Sequence, residues 1–413
     1  MPGKGRERSR RARPSAGRIA AAAAVTLAAG SLVLSSGAAA VLQRAHPTRA
    51  LAFAPWDARA KVVQAERALA GGVAASALTR AEALARDALR RNPTLVPAWR
   101  TLGVVYAAKR NGQAARAMFA TSAALSRRDL PTRLWLIEEE VRRGDVVGAL
   151  GHYDIALRTS PASYDVLLPV LVGASGIPQV APALGRLLAA RPEWSGNFHY
   201  RLSQAPPADA ATVARTLEVA SRGGPPRNPG ALRELVPAFV QRGAFLPALR
   251  IAAILGDPPA RVPKGVRNGG FEREEPGIAP FDWELPQASG FGAELRGDLG
   301  TGTQALVVFA SSEAAGDAAR QLLVLGPGRH RLRFRAGPTA APAPRGLAWR
   351  VACADGAPLL DRPVDVARAT RGAQAEFTVP AGCPAQWLTL AVSSDAPDVA
   401  EAWVDDVSVA PVR

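Results

Sequence analysis

Proton transfer, metal binding and nucleophilic attack each need particular side chains at particular spacings, and this 413-residue chain offers few of them. Its four histidines, His46, His152, His199 and His330, are scattered. None stands four residues from another, the spacing that puts two imidazoles on one helix face around zinc. No Gly-x-Ser-x-Gly turn and no phosphate-binding glycine loop occurs. Paired acids such as Asp405-Asp406 fall in loops or at strand ends, whereas a glycosidase needs two opposed carboxylates in a cleft. The expectation is a protein without catalytic residues, metal or cofactor.

What remains is the chemistry of contact. A sugar ring stacks its C–H face on an exposed aromatic while neighbouring polar groups bond its hydroxyls. Trp283, Trp349, Trp387 and Trp403 lie in the last third of the chain. Trp349 shares a strand face with Leu347, Val351 and Cys353 and reads as core. Trp387 points away from Leu388, Leu390 and Val392 and is the candidate platform. Arg331, Arg333 and Arg335 alternate along one strand. That stripe suits either an acidic glycan or plain solvation of a sheet face. Cys353 and Cys383 are the only cysteines, and either a single disulfide or two buried thiols is compatible with them.

The strands that would carry these residues alternate apolar and polar side chains, as antiparallel sheets with one wet face do. QLLVLGPGRHRLRFRAG reads as a hairpin about Pro327-Gly328. Asn268-Gly269-Gly270-Phe271-Glu272 opens the region, Phe281-Asp282-Trp283 follows, and Trp403-Val404-Asp405-Asp406-Val407 closes it. In this arrangement residues 267–413 resemble the galactose-binding-like jelly rolls that serve as bacterial carbohydrate-binding modules. That resemblance implies a two-sheet sandwich and possible contact with polysaccharide. In that family an Asp-Asp pair sometimes ligates structural calcium, against which stands a turn or strand-end role for Asp405 and Asp406.

Residues 61–256 have a different texture, with helices rich in Ala, Leu and Arg. Ala81, Ala88, Pro93, Trp99, Leu102, Gly103 and Tyr106 stand in a 34-residue register, and Gly144-Asp145, Ala149, Tyr153, Ala156 and Pro161 continue it. This spacing resembles the tetratricopeptide repeat (TPR), in which stacked helix pairs form a surface for peptides or partner proteins. Ile137 and Glu140 depart from the pattern, standing where Gly and Tyr are usual. Further on the repeats degrade, and PEWSGNFHYRLSQAPP reads as a loop. By the resemblance, a partner-binding face falls on the first helix of each pair, near Arg100, Lys109 and Arg133, with Glu138, Glu139 and Glu140 close by.

Residues 1–18 form a basic leader, with Lys4 and six arginines against Glu7 alone. An uncharged run, Ile19–Gln43, follows and is about long enough to span a bilayer. Positive charge before an apolar segment keeps the N-terminus cytoplasmic. The expected location is therefore the bacterial inner membrane, single-pass, with the bulk in the periplasm. A signal peptide cleaved after the small residues near Ala40, giving a periplasmic or secreted protein, is the other reading. Export also argues against a nucleic-acid partner. Of the formal net charge of +16, most resides in the helices, because residues 264–413 hold 15 Lys and Arg against 18 Asp and Glu.

The expected layout is multidomain, α then β. The leader (1–18) and membrane segment (19–43) precede a linker (44–60) and a TPR-like α-solenoid (61–256). A second linker (257–266) leads to an antiparallel jelly-roll β-sandwich (267–413). The function expected of it is a non-enzymatic envelope scaffold that binds a protein through the repeats and glycan through the jelly roll, as in exopolysaccharide synthesis or export. The alternative keeps the architecture and makes the jelly roll a structural or protein-docking cap.

Overall fold

The computed structural model describes residues 31, 33–256, 265–273, 277–297, 299 and 304–412. The chain folds as two compact units, Met1–Ser160 and Pro161–Arg413. Most of the expected membrane segment lies outside the described residues. Among those that are described, no helix is long and apolar enough to cross a membrane.

The first unit is a succession of antiparallel helices: α1 (Pro47–Phe53), α2 (Ala58–Ala70), α3 (Ala75–Arg91), α4 (Val96–Ala108), α5 (Gly112–Leu125), α6 (Leu130–Arg142) and α7 (Val146–Thr159). A further helical stretch covers 33–42, and α1 lies inside the segment read as linker. The side chains of Asp57, Asn111, Asp129 and Asp145 accept backbone N–H bonds at the starts of α2, α5, α6 and α7. Such caps satisfy donors that a helix cannot pair internally. Between helices the contacts are made by small side chains: Ala81, Ala85, Ala88 and Ala98 are fully buried. At Gly103 an added Cβ would lie 2.6 Å from the Phe119 ring, so a glycine is required where the second helix leans on the first. Where the pattern departs, the packing compensates: Ile137 is buried, and the buried Glu140 faces Arg116 and Arg143, each at 3.6 Å.

The second unit begins with α8 (Tyr164–Ala174), α9 (Ala181–Ala189), α10 (Ser195–Gln204), α11 (Ala210–Ser221), α12 (Pro229–Arg233), α13 (Leu235–Gln241) and α14 (Phe245–Leu255). Helix α10 replaces the loop expected at PEWSGNFHYRLSQAPP. Its Phe198, His199 and Leu202 are buried, and this apolar face outweighs the Pro and Gly that flank it.

The rest of this unit is a β-sandwich. Strands β1 (Phe291–Gly297), β2 (Gln304–Ala310), β9 (Ala400–Pro411), β4 (Gly328–Pro338) and β7 (Ala373–Val379) form one sheet in the order β1-β2-β9-β4-β7. Strands β3 (Ala315–Leu323), β8 (Gln386–Ser393), β5 (Gly346–Cys353) and β6 (Pro358–Pro363) form the other in the order β3-β8-β5-β6, and every pairing is antiparallel. The hairpin expected about Pro327-Gly328 is not formed. β3 pairs with β8 and β4 with β7 and β9, so the connection crosses from one sheet to the other. Leu323, Leu325 and Leu332 all enter the core between the sheets, and the Leu325 N–H donates to the buried Gln386 Oε1 at 3.0 Å. Burying these leucines between two sheets holds the crossing more strongly than one turn could hold a hairpin.

The opening and closing motifs meet in this core. Phe271, Trp283 and Trp349 form a chain of rings with centroids 5.4 and 6.1 Å apart. Gly269 accepts the Val407 N–H at 2.8 Å, and a Cβ at Gly269 would lie 1.8 Å from the Val407 carbonyl oxygen. Trp283 Nε1 donates to the Asn268 carbonyl at 3.1 Å. The Asn-Gly-Gly-Phe-Glu element thus serves to lock the first segment of the sandwich onto its last strand.

Candidate functional site

The repeat pairs place α2, α4 and α6 as first helices; α4 and α6 begin 34 residues apart, whereas α2 begins 38 residues before α4. Glu66 Oε1 on α2 accepts from Arg100 Nη2 on α4 at 2.5 Å. The position in α6 that corresponds to Arg100 is Leu134. One turn on, Val104 of α4 corresponds to Glu138 of α6, and after them Ala107 to Val141. Val104, Leu134 and Val141 are exposed on these helices, and Val73 is exposed in the turn after α2. The result is a set of uncovered aliphatic side chains on the corresponding faces of α4 and α6, with Glu138 and the Glu66–Arg100 pair beside it.

The three cations expected on a binding face are all engaged within the fold. Arg100 bridges Glu66 and Asp129, the residue that caps α6. Lys109 donates to Glu82 Oε2 at 2.5 Å. Glu82 also accepts from Arg86 Nε at 3.0 Å and the Tyr106 hydroxyl at 3.1 Å. The Lys109 bond holds the Glu82 carboxyl below its ordinary range, against the opposing effect of burial. Arg133 is buried and donates to the carbonyls of Ala123 and Ser126 at 2.9 and 3.4 Å, the last turn of α5. Its guanidinium stands 3.3 Å from His152 Nδ1, and burial followed by that positive charge lowers the His152 pKa. The uncovered valines and leucine are the residues that a search for charge passes over. Their signal is the 34-residue correspondence applied to the face opposite Leu102 and Gly103.

In the sandwich, Trp387 lies on the outer face of the four-stranded sheet, opposite to Leu388 and Leu390. The Arg320 guanidinium sits 4.7 Å over its ring and is held by Glu284 Oε2 at 2.6 Å from Nε. One face of the ring is therefore occupied. Arg331 and Arg329 on the outer face of the five-stranded sheet both donate to Glu376, at 2.7 and 2.5 Å, and these bonds hold its carboxyl below the ordinary range. Arg335 donates to the Thr370 carbonyl at 3.2 Å and stands 3.5 Å from Asp406. Arg333 is exposed between Gln374 and Ser408 and has no charged partner among the described residues. Trp403 shares this outer face and packs with Ala305 and Val307. Its ring covers Gly337, where a Cβ would lie 2.3 Å away.

Cys353, at the end of β5, is joined to Cys383, ahead of β8, by a disulfide. Buried Asp405 accepts the Asp406 N–H at 2.7 Å where β9 bulges. Near β6 an open cleft of about 540 Å³ is bordered by Arg362, Asp365 and Arg368. His199 is buried in α10, and burial drives its pKa down to about 4. His330 bonds the Gly326 carbonyl at 2.8 Å. Among the described residues no group of three His, Cys, Asp or Glu is placed to hold a metal ion.

No known family profile matches the chain, and no curated protein matches it. Among solved structures, it is similar to one described as "CBM4 structure and function", with 16% identity over 36% of this chain and 99% of that one, and a TM-score of 0.28. YrrB, a TPR protein with an unusual peptide-binding site, aligns with 51% of this chain and 91% of its own, at 15% identity and a TM-score of 0.26. PilW, a type IV pilus biogenesis factor, aligns with 50% of this chain and 96% of its own, at 16% identity and a TM-score of 0.25.

Proposed function

We propose that this protein is a non-catalytic scaffold of the bacterial cell envelope, anchored in the inner membrane by residues 19–43, whose helical repeats seat a partner protein. The observation that carries this reading is the uncovered aliphatic set Val104, Leu134 and Val141, on the corresponding faces of the successive first helices α4 and α6. Apolar side chains grouped on a regular helical face gain most when a second chain covers them. Glu138 stands beside them to orient a basic or amide-rich segment of that partner. Purification of the intact protein from membranes should recover the partner. Val104→Asp with Leu134→Asp should lower recovery at least tenfold while leaving the melting temperature within about 2 °C, since both sites are exposed. Recovery unchanged by the double variant overturns the reading.

The sandwich is proposed to contact an anionic polysaccharide through Arg333, with Arg331 and Arg335 at its sides, in synthesis or export of exopolysaccharide. Arg333 supports this because its charge is uncommitted among the described residues. The seating of Arg320 over Trp387 favours a second reading, in which the sandwich is a structural or docking module. Binding of acidic polysaccharides to the full chain separates the two. Retention that falls with Arg333→Glu supports the glycan role, and absence of retention supports docking.

A further inference from the structure

We infer that residues 44–59 form a collar that rests on the lipid surface where the apolar segment leaves the bilayer, an inference that rests on the anchor reading above. The helical stretch 33–42 carries no charged residue. Its Ala39 is buried against Ala50, Ala54 and Ala60, with Leu42 and Leu51 packed around them. Three of its aliphatic side chains turn the other way: Val33 is 71% exposed, Leu34 75% and Val41 81%. One side of the stretch thus docks on the first helices of the repeat unit, and the other presents aliphatic groups that nothing among the described residues covers.

The junction is firmly built. Gln43 N–H donates to the Ala39 carbonyl at 2.8 Å and His46 N–H to the Leu42 carbonyl at 2.7 Å. Arg67 Nη2, from α2, grips the carbonyls of Arg44 and Ala45 at 2.7 and 3.1 Å. Beyond this joint two aromatic residues face outward, Phe53 at 53% exposure and Trp56 at 42%, on either side of buried Ala54. Arg44, Arg49 and Arg59 are exposed there, and their guanidinium groups have no acidic partner among the described residues. The nearby Asp57 is committed to the backbone N–H groups of Arg59 and Ala60.

Aromatic rings prefer the headgroup region of a bilayer, and arginines beside them attract anionic lipid. A lipid surface is favoured over a protein because the uncharged run of the sequence ends at Gln43, immediately before the first arginine of the collar. The joint at Ala39 and Arg67 then fixes the distance between the bilayer and the repeats.

The test uses the full chain reconstituted in vesicles of phosphatidylethanolamine and phosphatidylglycerol. An environment-sensitive fluorophore is attached through Phe53→Cys or Trp56→Cys, and through Val147→Cys on α7 as reference. The native cysteines are joined to each other, so labelling is confined to the new thiol. The expected result is at least a threefold rise in emission at positions 53 and 56, quenched by spin-labelled lipid, with no change at 147. Arg44→Glu with Arg49→Glu should at least halve that rise. A chain that floats with the vesicles while all three positions behave alike overturns the collar and leaves the anchor standing. A chain that does not float overturns both. A rise that appears only when a co-purified protein is added overturns the lipid assignment.

Discussion

The repeat unit and the sandwich are held together by different means. Among α2, α3 and α4 the core includes small separate groups. Val62, Ala88, Leu95 and Ala98 form one, and Ala65, Leu78, Ala81 and Val105 another. In the sandwich a single cluster extends from Phe271 to Val409, with Trp349 fully buried within it and Cys353 joined to Cys383. Each helix pair of a repeat array meets only its neighbours, whereas both sheets of a sandwich share one packed interior. Damage should therefore stay local in the first and spread through the second.

Trp349→Ala provides the strongest test of that contrast. Truncating a fully buried Trp costs about 3–5 kcal/mol, and hydrogen exchange should accelerate across both sheets while α2–α7 stay protected. Protection lost only in β5 would refute a shared interior. Cys353→Ala with Cys383→Ala opens a link between residues 30 apart in sequence, worth about 3–4 kcal/mol in chain entropy. Reductant should lower the melting temperature of the wild type by the same amount and leave the double variant unmoved.

Acid tests the helices α8–α14. The folded state depresses the His199 pKa from an ordinary 6.5 to about 4, so it favours the neutral ring. The stabilisation is fully present above pH 6.5 and is lost as pH falls toward 4, roughly 3 kcal/mol in all. His199→Gln should flatten that slope, and a slope that persists would place the acid sensitivity elsewhere. Gly103→Ala is the smallest perturbation, about 2 kcal/mol, since the new methyl meets Phe119. Faster exchange confined to α4 and α5 is expected, and spread to α2 or α7 would mean that the repeats are more cooperative than their divided core implies.

The 34-residue register and the alternation of Leu347, Trp349, Val351 and Cys353 were legible in the sequence because each repeats a packing rule at short range. Strand partnership was not. β3 and β4 look like a hairpin locally, and only the long-range burial of Leu323, Leu325 and Leu332 between sheets assigns them to different partners. The cations Arg100, Lys109 and Arg133 were visible as charges, but their partners Glu66, Asp129, Glu82 and the α5 carbonyls lie on other elements. The cover over Trp387 was hidden for the same reason, since Glu284 and Arg320 are 36 residues apart. The anchor segment lies largely outside the described residues, so its reading still rests on the composition of 19–43.

The double pairing of Arg100 has a mechanical side. Apolar surfaces between neighbouring helix pairs resist separation but slide with little restoring force, because dispersion contacts are interchangeable along a stripe of alanines. A guanidinium bonded at once to Glu66 on α2 and to the cap of α6 acts as a directional tether across three successive helix pairs. Sliding of one pair past the next must then stretch a directional bond. With Arg100 and Asp129 mostly buried, salt screens this tether only weakly, so it holds its direction as ionic strength rises.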